Sequence, residues 1–88
     1  MNTLFLLMAQ YSGQAVIPIE VVCRDYLHLT VEKFKLKRLS GDIDIPLMRL
    51  GTRSQKAALG IHLNDLANYI DRQRELATTE QNKLMNRN

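Results

Sequence analysis

Apolar residues recur along this chain at changing spacings, and the changes mark out its elements. Leu4, Leu7, Met8 and Tyr11 follow i, i+3, i+4, i+7 spacing behind Thr3, a residue able to cap a helix. Gly13 stands where a left-handed residue would end such a helix. The continuous run Leu4–Met8 also fits a buried strand, so residues 3–11 are either a short helix or a strand. Ala15-Val16-Ile17 reads as extended, because a residue before proline is pushed away from the helical region. Beyond Pro18, the residues Ile19, Val22, Cys23, Tyr26 and Leu27 form one full apolar stripe at helical spacing. His28 and Leu29 break it. Thr30 is then a good N-cap, Glu32 lies in the positive first turn, and a helix from Val31 to Ser40 stops at Gly41. Two helices joined by so short a link are the outline of a helix-turn-helix.

The second of these helices is imperfectly amphipathic. At about 100° per residue, Val31, Phe34 and Leu39 share one side, but Lys35 and Arg38 fall there too, while Leu36 points away. The two cations are expected to extend outward along their aliphatic stems. Phe34-Lys35-Leu36-Lys37 alternates like a strand, yet the cap at Thr30 and the glycine stop at Gly41 favour a helix.

After Gly41 the period changes. Ile43, Ile45, Leu47 and Leu50 sit among turn-formers and Pro46; residues 51–56 are polar and basic; Leu59-Gly60-Ile61-His62-Leu63 is extended again. Two short strands around a loop predict a hairpin. Asn64 and Asp65 are placed to cap a last helix with Leu66, Tyr69, Ile70, Gln73 and Ala77 on its inner side, and Arg72 and Glu75 can pair on its outer side. The predicted fold is mainly α with a small β-hairpin: a winged helix-turn-helix with an extra N-terminal helix and a longer C-terminal helix. Its element order resembles that of excisionase-like proteins, in which the second helix of the motif enters the major groove and the hairpin loop reaches the neighbouring backbone. Residues 1–77 are expected to form one domain, and residues 78–88 a polar, frayed tail.

Charge sharpens the picture. The net +3 is modest, but residues 30–56 carry Lys33, Lys35, Lys37, Arg38, Arg49, Arg53 and Lys56 against Glu32, Asp42 and Asp44. All of the excess therefore lies in the middle third, which points to a polyanionic partner. A solvated basic surface is the plain alternative. The apolar share of 45% argues against a disordered chain. The N-terminal LFLLM run lacks a cationic flank and a cleavage signature and is too short to span a bilayer, so it is assigned to the core and no membrane partner is expected. The lone Cys23 excludes an internal disulfide, and a cytoplasmic location is expected.

The stretch NTLFLLMAQYSGQAVIPIEVVCRDYLHLT, followed by EKF, GDI and HLNDLANYIDRQR, resembles the pyocin activator family, small regulators of bacteriocin or prophage genes. The resemblance spans about Met1 to Arg74, and LLMAQY, VIP-x-E-x-VCRDY and LTVEKF carry it together. It implies a transcriptional activator that binds double-stranded DNA at a promoter. An activator needs a second surface, for RNA polymerase or for a twin copy, and the length of the C-terminal helix from Asp65 onward offers one for either. The link carries His28-Leu29, where helix-turn-helix turns often carry glycine.

A DNA site draws its affinity from cations that displace counterions. Lys33 and Lys37, opposite Val31 and Phe34, are the first candidates for groove contact; Lys35 and Arg38 suit flanking phosphates. Thr30 can donate to a phosphate beside the backbone N–H groups of the helix start. In the hairpin loop Arg53 and Lys56 flank Ser54 and Gln55, a set suited to phosphate or a narrow minor groove, and Arg49 is a weaker candidate. Tyr11, Tyr26, Phe34 and Tyr69 are expected as core anchors rather than base-stacking platforms.

Nothing in the sequence favours catalysis. The lone Cys23 lies on a buried stripe, one cysteine and two separated histidines lack metal-ligand spacing, and the four glycines are scattered, so no metal, cofactor or enzyme activity is expected. The leading expectation is a sequence-specific DNA-binding activator of bacteriocin or prophage genes. The alternative is a protein-interaction module, such as an anti-repressor, or an architectural factor of the excisionase kind.

Overall fold

The computed structural model describes residues 2–51 and 58–86 of the chain. The first helix, α1, spans Thr3–Gln10, which settles the helix-or-strand alternative for this segment. Its cap is Asn2, not Thr3: the Asn2 side-chain oxygen accepts from the N–H of Leu4 at 2.8 Å and of Phe5 at 3.4 Å. The Thr3 hydroxyl instead donates to the Asp71 carboxylate at 2.6 Å, tying α1 to the last helix. Gly13, at φ +78°, donates to the Met8 carbonyl at 2.8 Å and so closes the helix end.

Val16–Pro18 forms a strand, β1, in place of a merely extended link. It pairs antiparallel with β3 (Ala58–His62), which pairs on its other side with β2 (Met48–Leu50). The hairpin expected from the sequence is thus present, and β1 turns it into a three-stranded sheet of order β1-β3-β2. Pro18 lies on an edge strand, where its missing N–H does least harm. At Gly60, paired with both Pro18 and Met48, an added Cβ would lie 2.5 Å from Val16 Cγ1 and 3.1 Å from the Ile17 carbonyl oxygen. Only glycine lets the strands approach this closely.

The next helix, α2 (Ile19–Val22), widens into a π turn over Cys23–Leu27. The stripe Ile19, Val22 and Cys23 is buried as its spacing requires. His28 ends the turn at φ +54° and ψ +41°, and the N–H groups of His28 and Leu29 both reach the Cys23 carbonyl. Helix α3 then spans Val31–Ser40, with the Thr30 hydroxyl accepting from the Lys33 N–H at 3.2 Å and Gly41 left-handed at φ +85°. Both boundaries agree with the sequence.

The last helix, α4 (Leu63–Met85), begins at least two residues earlier than expected. His62, not Asn64 or Asp65, is its cap: Nδ1 accepts from the Asn64 N–H at 3.0 Å. The core gathers Leu7, Ile17, Ile19, Val22, Phe34, Ile61 and Leu66, with Ile43 and Ile45 plugging it from the segment after α3. Phe34 is wholly buried, and Tyr11, Tyr26 and Tyr69 pack against the core half-buried. Arg72 does not pair with Glu75; it donates to the Asp44 carbonyl at 2.6 Å, fastening α4 to the post-α3 segment. From Asp71 onward every described residue of α4 is exposed, and the helix runs on through Met85.

Candidate nucleic-acid interface

Helix α3 is held by three inward positions. Phe34 is its buried anchor, and Val31 and Arg38 are half-buried on either side of that line. The outward side carries Lys33, Leu36 and Ser40, with Lys37 at its flank, and all four are exposed. Leu39 corrects the sequence reading: it is 77% exposed, not on the inner side with Val31 and Phe34. Its angular distance from Phe34 carries it past the edge of a core that the sheet covers on one side only.

The expected outward extension holds for Lys35, which is exposed. Arg38 is more deeply held, with Nε buried and without a hydrogen-bond partner among the described residues. It borders a shallow cleft formed by Gly41, Ile43, Asp44, Ile45 and Pro46. Its stem therefore belongs to packing, and only the end of its guanidinium is offered outward.

Two further clefts orient α3. One, lined by Val31, Lys35, Pro18, Leu50, Ala58 and Leu59, lies between α3 and the sheet. The other, lined by Lys37, Asp42, Tyr26, Leu29 and Tyr69, lies between α3 and α4. Lys35 thus faces the hairpin side and Lys37 the α4 side. Leu50 and Ala58, which pair where the hairpin opens toward residues 51–57, share the cleft with Lys35. Arg49 is exposed on β2 beside Leu50. Arg53, Ser54, Gln55 and Lys56 lie outside the described residues.

At the start of α3 the Thr30 oxygen is occupied by its cap bond, but a hydroxyl that accepts there keeps its proton free to donate outward. The π turn before it carries a polar network that ties it to α1. Asp25 accepts from the Tyr11 hydroxyl at 2.9 Å and from Arg24 Nε at 2.8 Å, and Tyr26 donates to Gln10. The Arg24 bond, followed by the Tyr11 bond, holds the Asp25 carboxyl below its usual range. Burial, reinforced by the bond to Asp25, pushes the Tyr11 phenol well above its ordinary value. These contacts lock the π turn onto α1 and so set the angle at which α3 leaves the link. The adjacent Arg24 and Asp25 are legible in the sequence as a surface pair; the bonds from Tyr11 and Tyr26 depend on the widened turn.

Burial also pushes the Cys23 thiol upward, with Glu20 adding to the effect, so the thiolate needed for nucleophilic work is disfavoured. No group of three His, Cys, Asp or Glu side chains converges to hold a metal among the described residues. No described helix is long and apolar enough to cross a membrane.

These features define a small, mainly helical protein whose three-stranded sheet stands beside a short basic helix. The family model described as Pyocin activator protein PrtN matches residues 3–77, and the chain belongs to the pyocin activator family. That is a family of transcriptional activators and not a class of enzyme. No curated protein and no solved structure matches the chain significantly.

Proposed function

We propose that the chain is a sequence-specific, double-stranded-DNA-binding activator of pyocin-like bacteriocin or prophage genes, acting in the cytoplasm through a winged helix-turn-helix. The observation that carries this reading is α3 itself: anchored inward by Phe34, it turns Lys33 and Lys37 away from the core, in a chain of the pyocin activator family. In this reading α3 lies in the major groove, with Lys33 and Lys37 reaching into it. Thr30, Lys35 and Arg38 take flanking phosphates, and Arg49 with the loop residues Arg53, Ser54, Gln55 and Lys56 takes the neighbouring backbone. The element order supports it, because a hairpin follows the basic helix and shares a cleft with Lys35. Residues 1–77 form the DNA-binding unit, and residues 78–88 lie beyond it.

An activator also needs a surface for another protein. The exposed apolar side chains of α1 (Phe5, Leu6, Met8) and of outer α4 (Leu76, Leu84, Met85) supply it for a twin copy or for RNA polymerase.

Footprinting on bacteriocin and prophage promoters of the host, at two salt concentrations, tests the reading. A repeated protected motif is expected. In titrations, Lys33→Ala with Lys37→Ala should flatten the log–log salt dependence by about 0.9 for each phosphate left without its lysine. Smeared protection, lost uniformly with salt and indifferent to both lysines, would favour the anti-repressor alternative.

A further inference from the structure

The outward side of α3 is not purely cationic. Leu36 is 66% and Leu39 77% exposed, on a ten-residue helix whose apolar anchor, Phe34, is wholly buried. An ordinary surface helix places polar residues at such positions. The two leucines are three apart, so their side chains adjoin on the helix surface. Around them on the same helix stand Lys33, Lys35 and Ser40, with Glu32 at the N-terminal end of the ridge, all exposed.

A protein partner that covered this patch would have to desolvate or neutralise the surrounding lysines. The major groove satisfies both halves of the surface at once. Phosphates along its walls meet the ammonium groups, while thymine 5-methyl groups, the apolar points on the groove floor, meet the leucines. The spacing is compatible as well. Three residues of helix advance about 4.5 Å, between one and two steps of the roughly 3.4 Å base-pair repeat.

We propose that Leu36 and Leu39 read thymine methyl groups, and that the half-site under α3 therefore contains neighbouring A·T pairs. The proposal rests on the assignment of α3 to the major groove and adds a base class to it.

The test uses the full chain and a duplex that it enriches from a random pool, prepared once with thymine and once with deoxyuridine, which lacks only the methyl group. The wild-type chain is expected to lose about fourfold in affinity for each methyl it touches. The Leu36→Ala, Leu39→Ala chain should bind the thymine duplex correspondingly more weakly and distinguish the two duplexes little. Both leucines are exposed, so the variant should keep its helical circular dichroism; should it fail to fold, deoxyuridine placed at single thymines decides with the wild-type chain alone. Equal discrimination by variant and wild type, or none by the wild type, would overturn the proposal while leaving α3 in the groove. An unchanged duplex preference with loss of self-association in the variant would likewise overturn it, assigning the leucines to a protein contact. Failure to enrich any sequence, with binding indifferent to Lys33→Ala and Lys37→Ala, would overturn the groove assignment and this proposal together.

Discussion

His28 occupies a left-handed conformation that side chains with a Cβ adopt reluctantly, and it does so at the corner that aims α3. Replacing it with glycine keeps both N–H bonds to the Cys23 carbonyl and removes the steric strain. His28→Gly is therefore expected to raise stability by roughly 0.5–1 kcal/mol, read as a higher urea midpoint at unchanged slope. The Asp25 cluster beside it makes a pH prediction. A depressed carboxyl stabilises the fold above the ordinary aspartate value of about 3.9 and loses that contribution as pH falls through the lower folded value. A raised phenol stabilises the fold below its ordinary value of about 10 and loses that contribution as pH climbs beyond it. The cluster's contribution to the melting temperature should thus be constant between those limits and fall on both sides. Asp25→Asn should lower the plateau and shrink the acid fall; an acid limb identical to that of the wild type would show that Asp25 is not tied to the native state.

Among the elements, Gly60 makes the sharpest demand, because the centre strand passes both neighbours at that residue. The β-branched Val16 side chain and the Ile17 carbonyl leave no room for a methyl group. Gly60→Ala is expected to cost about 1–3 kcal/mol, measured by denaturant unfolding, with β1 losing amide protection first. Strand propensity alone predicts a gain from the same substitution, so the measurement separates a propensity effect from a close approach. This residue also shows why the sequence disclosed some elements and hid others. Helix α3 was legible because Thr30 and Gly41 are local signals, complete within the segment they bound. The hairpin was legible from turn-formers and alternation. Strand β1 was not, because three residues carry no periodicity and its identity depends on a partner more than forty positions away. The caps were legible only to within a residue or two: the Thr3 hydroxyl is drawn away to Asp71 and leaves Asn2 to cap α1, and His62 caps α4 by accepting from the Asn64 N–H. The basic set on α3 was legible by charge, whereas the outward placement of Leu39 depended on where the core ends.

For the whole molecule, the shape is the informative quantity. The Cα radius of gyration is 15.2 Å and the longest extent 56 Å, whereas a compact chain of this length would have a radius near ~12 Å. The excess comes from α4, whose 23 residues span about 35 Å and are exposed from Asp71 outward. A helical segment of that length receives little support from propensity alone in water, and along it Leu76, Leu84 and Met85 stand exposed. A second copy packing along this arm would cover those side chains and set two α3 helices on one face of a duplex. Sedimentation equilibrium is expected to show a concentration-dependent dimer, and Leu76→Lys with Leu84→Lys to shift it to monomer with the fold of residues 1–77 retained. DNA binding should then weaken by far more than two surface substitutions outside the groove could cause directly, because half of the phosphate-binding cations leave with the partner, and the salt slope should halve. Protected half-sites about 34–36 Å apart in the wild type, reduced to single half-sites in the variant, would tie that loss to geometry. A monomeric wild type with one isolated footprint would instead leave the arm free for the transcription machinery.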